Sequence, residues 1–145
     1  MRRLRDDESG SILPLTIFYG FLALVLILLV VAATSLYLER KRLFSLADSA
    51  ALAGAEAFTL DGVAVTVGGA RPSLQTADVA SAVDSYLDAA PAEEFTDLTV
   101  VEAASPDGRS ATVTLSSYWR PPLVTVLVPE GLRIEVTALA RSVFD

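Results

Sequence analysis

The chain has 145 residues, 52% of them hydrophobic, and a mean hydropathy of +0.50, which is too apolar for an ordinary soluble domain and far too apolar for a disordered one. The net charge of −7 is unevenly placed: residues 1–42 carry six Arg or Lys against four acids, and residues 43–145 carry five Arg, no lysine and fourteen acids. An acidic body argues against nucleic acid as a partner, and the absence of cysteine and histidine excludes disulfides and thiolate or imidazole metal sites.

The first eleven residues are polar, with Arg2, Arg3 and Arg5 forming a basic cluster. From Ile12 to Leu38 the chain runs 27 residues without a charge. A membrane-spanning helix needs about 20 apolar residues for a hydrocarbon core of roughly 30 Å. A cleaved secretory signal is the competing reading, but its apolar core would be only about 7–15 residues. The run therefore reads as an uncleaved anchor. Pro14 stands in its first turn, where a missing N–H costs least, and Tyr19 and Tyr37 lie near its two ends, as interfacial aromatics do. Basic residues flank both ends equally, since Arg40, Lys41 and Arg42 follow the span. The short tail favours an N-in, C-out orientation.

No stop signal lies between Tyr37 and Phe58, so one helix is expected from about Ser11 to Phe58, roughly 70 Å long. In its outer half Leu43, Leu46, Ala47, Ala50, Gly54 and Ala57 recur at three- and four-residue steps and make one apolar stripe. Ala47, Ala51 and Ala55, and likewise Ala50 and Gly54, form small-xxx-small rows that let helix backbones approach closely. Asp48 is the one charge between Leu43 and Ala55. It reads either as a solvent-facing residue or as a partner for Arg40, Lys41 or Arg42 of its own helix or of a neighbouring subunit.

Residues 59–74 hold Asp61-Gly62, Gly68-Gly69 and Pro72 and read as a loop with a short extended piece at Val63–Val67. Ser73 or Thr76 is expected to cap a second helix, with Asp78 in its first turn. Val79, Val83, Tyr86, Leu87 and Ala90 make its apolar face, and Pro91 ends it. Phe95–Ala104 reads as a strand, and Asp107-Gly108 as the turn of a hairpin. Ser110–Ser117 alternates Ala111, Val113 and Leu115 against Thr112, Thr114 and Ser116. Leu132–Val143 alternates Leu132, Ile134, Val136 and Ala138 against Arg133, Glu135, Thr137 and Arg141. One buried and one wet face marks an antiparallel sheet packed on a cover, here the outer half of the long helix. The expected fold is α+β, divided into a cytoplasmic tail (1–11), a transmembrane helix (12–38) and an extracytoplasmic domain (39–145).

No catalytic constellation stands out. Without histidine, a nucleophile would need the single lysine, Lys41, which lies among arginines and reads as a headgroup anchor. Asp84 and Asp88, with Glu93, Glu94 and Asp97 beyond, could hold a divalent ion, but a solvated acidic helix face is the plainer reading. Gly68-Gly69 lacks the Lys and Ser/Thr of a phosphate loop. Trp119 reads as a core lid rather than an exposed docking aromatic. The expectation is a non-enzymatic protein with no cofactor, no metal and no small-molecule substrate.

The polar tail ending in Gly10-Ser11, the apolar span and the run Ala47-Asp48-Ser49-Ala50-Ala51-Leu52-Ala53-Gly54-Ala55 after a basic cluster resemble, over residues 8–58, the TadE/TadG-like proteins of Flp (tight-adherence) pilus assembly. The resemblance implies a pilin-like membrane component of an adhesive pilus or the related secretion machinery, in the cytoplasmic membrane, with membrane lipid and other pilin-like or platform proteins as partners. It also implies that Ala47, Ala50, Ala51, Gly54 and Ala55 pack helices together. Gly10 and Ser11 stand where a prepilin-type cleavage site would be. The family's processed pilins carry a Glu five residues after that Gly, whereas this chain has Leu15, so the TadG-like branch fits better than a cleaved minor pilin. The alternative is a membrane-tethered protein-binding module unrelated to pili.

Overall fold

A computed structural model describes residues 12–57, 63–66, 69–91, 94–120 and 130–141. The tail and the C-terminal end of the chain lie outside them, as do Phe58 and Glu93. Helix α1 (Ile12–Ala55) is a single 44-residue helix, about 66 Å long at 1.5 Å per residue. Within its apolar half the hydroxyls of Thr16 and Thr34 donate to the carbonyls of Ile12 and Val30 at 2.9 Å each, so neither enters an apolar environment unpaired. The helix ends as the chain tightens: Ala57 N–H donates to the Gly54 carbonyl, three residues back, at 3.3 Å.

Strands β1 (Val63–Thr66) and β2 (Gly69–Pro72) pair antiparallel, from Val63 opposite Pro72 to Thr66 opposite Gly69. This corrects the reading of a loop with one extended piece. A glycine-marked break between two short runs is itself a hairpin signal.

Helix α2 (Thr76–Ala89) starts without the expected side-chain cap. Gln75 occupies the cap position, and its carbonyl accepts from the N–H groups of Asp78 and Val79 at 3.1 Å. Thr76 Oγ1 turns instead to accept the Ser105 N–H at 3.3 Å, a tertiary bond that outcompetes local capping. The helix stops at Ala90, whose extended backbone (φ −81°, ψ 158°) is what a following proline, Pro91, requires.

Strands β3 (Thr99–Ala104), β4 (Ser110–Trp119) and β5 (Leu132–Arg141) form one antiparallel sheet in the order β3-β4-β5. The strand expected from Phe95 begins only at Thr99. Residues 94–98 turn first, with Asp97 at a positive φ of 51°, and the Thr96 carbonyl accepts from Ser117 Oγ at 2.9 Å and Tyr118 N–H at 3.0 Å. A bulge between Val100 and Glu102 shifts the β3–β4 register.

On the inner face of the sheet Ala111, Val113 and Leu115 are fully buried, with Ile134, Val136 and Ala138 beside them. They pack on Leu43, Ala47, Ala50, Ala51 and Ala55 of α1 and on Val79 and Val83 of α2. Each fully buried Leu or Val contributes about 1.5–3 kcal/mol. The alternation fails in two places. Thr114 and Ser116, on the other face of the central strand, are buried too; Thr114 meets the Thr137 hydroxyl across the strands at 2.9 Å. Leu132, expected inside, is exposed at the strand end.

Candidate functional site

The long helix presents two surfaces, and the boundary between them is sharp. From Ile12 to Val31 every residue is exposed. These 20 residues span about 30 Å, the thickness of a bilayer core. They are bulky and apolar all round, as a lipid-facing helix should be. The helix is long and apolar enough to cross a membrane.

Contact with the head begins at Ala32 and Leu36, which pack against the core. Beside them Trp119 Nε1–H donates to Ser35 Oγ at 3.3 Å, with the residue only 7% exposed. Trp119 is thus the core lid it was read to be. The sheet reaches further down the helix than the uncharged run suggested. The one available signal was Ser35, a hydroxyl in an apolar stretch, and periodicity could not name its partner.

Higher up, Ala47, Ala50, Ala51, Gly54 and Ala55 are buried inside the chain's own core. A Cβ built on Gly54 would lie 3.0 Å from Val79 Cγ1, 3.3 Å from Ala111 Cβ and 3.4 Å from Val83 Cγ2. The small side chains therefore let α2 and β4 approach α1, and the row offers no free surface to another subunit. A face flanking that row is open: Lys41, Phe44, Asp48 and Leu52 recur along it, all exposed, with Phe44 at 48% and Leu52 at 53%.

Arg40, Lys41 and Arg42 are exposed. Among the described residues the one ion pair joins Arg133 and Glu135 at 3.5 Å, so Asp48 does not pair with the basic cluster of its own helix. Gly10 and Ser11 lie outside the described residues. Asp84, Asp88 and Glu94 are exposed and, among the described residues, no three acids gather as a metal site.

Among the described residues the most perturbed carboxylate is Asp107, in the β3–β4 turn. Its Oδ1 accepts from Ser110 Oγ at 2.7 Å, Arg109 N–H at 2.9 Å and Ser110 N–H at 2.7 Å. The Ser110 hydroxyl first, then the Arg109 and Ser110 backbone donors, hold its pKa at about 2, below the usual 3.8. All its partners are local, so the group braces a turn. The next residue, Gly108 (φ +66°), accepts the Leu74 N–H on its carbonyl at 2.9 Å, which ties that turn to the entry of α2.

Residues 10–57 match the family model described as "Putative Flp pilus-assembly TadE/G-like". The match coincides with α1 and stops there, leaving the head uncovered. No curated protein and no solved structure matches the chain.

Proposed function

We propose, from the family match over residues 10–57, that this protein is a non-enzymatic, single-pass, pilin-like component of tight-adherence pilus assembly or of the related secretion machinery. It sits in the cytoplasmic membrane with its N-terminus inside and its α+β head outside. The observation that carries the reading is the coincidence of the matched segment with one helix that is lipid-suited below and head-bearing above.

Contact with other pilin-like helices then runs along the open face of α1, through Phe44, Asp48 and Leu52, because the small-residue row is occupied by the chain's own core. Asp48 on that face is complementary to the Arg40–Arg42 cluster of a neighbouring copy or relative, since it is unpaired within its own helix. Two half-exposed apolar side chains with a charge between them give such a contact both burial and register.

Crosslinking tests this in cells. A photoreactive residue at Leu52 should capture other components of the pilus machinery, and the same residue at Ala50 should capture none. Equal capture at both positions, or none at Leu52 in cells that assemble pili, would overturn it. For orientation, a cysteine placed at Arg109 should react with an impermeant maleimide on intact cells; labelling only after lysis would reverse the topology.

A further inference from the structure

Two contacts fix the direction of the sheet along the long helix. Ala111 of β4 lies against Gly54, and Trp119, at the other end of β4, lies against Ser35. From Ser35 to Gly54 the helix rises about 28 Å, and from Ala111 to Trp119 the strand covers about 26 Å. β4 therefore runs back along α1 toward its apolar half, and its antiparallel partner β5 runs away again. Trp119 and Leu132, which face each other across the two strands, stand at the foot of the head. We propose that this foot rests in the interface of the bilayer that α1 spans, and that residues 121–129 give the head a second contact with lipid beside the helix. The inference rests on the membrane-spanning reading of α1.

The level is right. The fully exposed apolar run ends at Val31. Ser35 stands about 6 Å further along the helix axis, within a polar headgroup layer roughly 5–7 Å thick on each side. The bond from Trp119 to Ser35 holds the end of β4 at that depth. Leu132 beside it is an apolar side chain left 49% exposed. Below the foot, the helix from Ile12 to Val31 is exposed on every side, so what lies beneath the foot is what surrounds that segment, the lipid.

The composition is also right. Residues 121–129 lie outside the described ones, but the chain leaves the head at Arg120 and returns at Glu130, both exposed and both at the foot. The nine residues between carry no charge, and five of them are Leu or Val: Leu123, Val124, Val126, Leu127 and Val128. The connection at the far end of β4 is the opposite in kind. It holds Asp107 and Arg109, both exposed, as a turn in water should. An apolar run at the surface marks a contact with something other than water. Pro121, Pro122 and Pro129 have no backbone N–H, which lowers the cost of taking this connection out of water. Nine residues out and back reach at most about 15 Å from the foot. That distance passes the headgroups and enters one leaflet, but falls well short of crossing a core of roughly 30 Å.

The chain has no cysteine, so single-cysteine variants of the full-length protein can carry one nitrobenzoxadiazole label each in phosphatidylcholine nanodiscs. A nitroxide high on the lipid acyl chain quenches a label in the bilayer, and iodide quenches a label in water. The label on Val126→Cys should be quenched severalfold by nitroxide lipid and spared by iodide. The label on Arg109→Cys, at the far end of the sheet, should show the reverse. The label on Leu28→Cys, inside the span, should behave like that on Val126→Cys. A Val126→Cys label open to iodide leaves the run in water, and one shielded from both quenchers places it against protein; either result overturns the second contact. A Leu28→Cys label open to iodide overturns the membrane-spanning reading itself, a result distinct from the other two. Wild-type Trp119 emission before labelling shows that the head remains folded, and Thr125→Cys takes the place of Val126→Cys if that emission changes.

Discussion

Gly20 and Gly54 belong to the same helix and have opposite surroundings. A Cβ at Gly20 would meet nothing within 4 Å, whereas one at Gly54 would press on Val79, Ala111 and Val83. The lower half of α1, exposed from Ile12 to Val31, packs on no other element among the described residues, so its side chains are unconstrained in shape. The upper half faces a fixed sheet and a second helix, so shape decides, and alanine and glycine stand wherever those elements come closest. One continuous element thus obeys two packing rules, and the change occurs at Ala32, where the first contact with the core appears.

The strongest way to break this comparison is to put the same side chain at both glycines. Gly54→Leu should unfold the head, because four carbon atoms have no room there. Overpacking a filled core typically costs about 1–3 kcal/mol for smaller insertions, so at least about 3 kcal/mol is expected here. Gly20→Leu should leave the head's melting temperature unchanged. Near-ultraviolet circular dichroism of the detergent-solubilised protein reads both. Equal melting of the two variants would mean that α1 does not pack as described.

Gly131→Ala comes next. This glycine has a φ of +75°, and an added Cβ would stand 2.7 Å from the Trp119 carbonyl. Strain and clash together should cost about 1–3 kcal/mol, read as a lower denaturant midpoint. The effect would be confined to the head, because the glycine lies at the foot of β5 and has no part in membrane insertion. Alkali extraction from membranes should therefore give the same result as for the wild type.

What was legible in the sequence follows the same division. The long helix and strands β4 and β5 carry strong signals over ten or more residues, and β3 a run of β-forming residues, so their existence and class were readable, within a few residues at their ends. Phe95 illustrates the limit: β-forming residues preceded the strand, but the Thr96 carbonyl's bonds to Ser117 and Tyr118 fix a turn there that local propensity cannot show. The cap of α2 was misread for a similar reason, since Thr76 is engaged by Ser105 across 29 positions of chain. The small-residue row was visible as a face, but periodicity names a face and not its occupant. Whether Gly54 meets a partner helix or the chain's own Val79 is decided by topology. The open face with Phe44 and Leu52 was missed because it is the residue of that assignment, what is left once the core has claimed the small-residue side.

A finer probe of the boundary is Ser35→Ala. It removes the acceptor for Trp119 Nε1–H and leaves a donor with 7% exposure for its residue. The expected loss is about 0.5–1.5 kcal/mol, with a shift in the emission of the chain's single tryptophan. A silent substitution would place the foot of the head away from the helix and would lengthen the lipid-facing run beyond Val31.

The smallest effect expected is at the far end of the head, and pH alone should reveal it. Between Ile12 and Leu38 there is no carboxylate, so mild acid acts on the head and spares the span. Asp107 has a folded pKa of about 2 against the ordinary 3.8. A depressed carboxylate contributes stability that is complete above its unfolded pKa and lost as pH falls through the folded value. The turn braced by Asp107 should therefore weaken between about pH 4 and pH 2. Asp107→Asn keeps an acceptor oxygen without the charge, so it should start slightly less stable at neutral pH and lose less on acidification. Hydrogen exchange at the Arg109 and Ser110 amides reads this directly, since both donate to Asp107 Oδ1. Parallel acid profiles for wild type and variant would assign the acid response to the other carboxylates of the head and leave the Asp107 bonds without energetic weight.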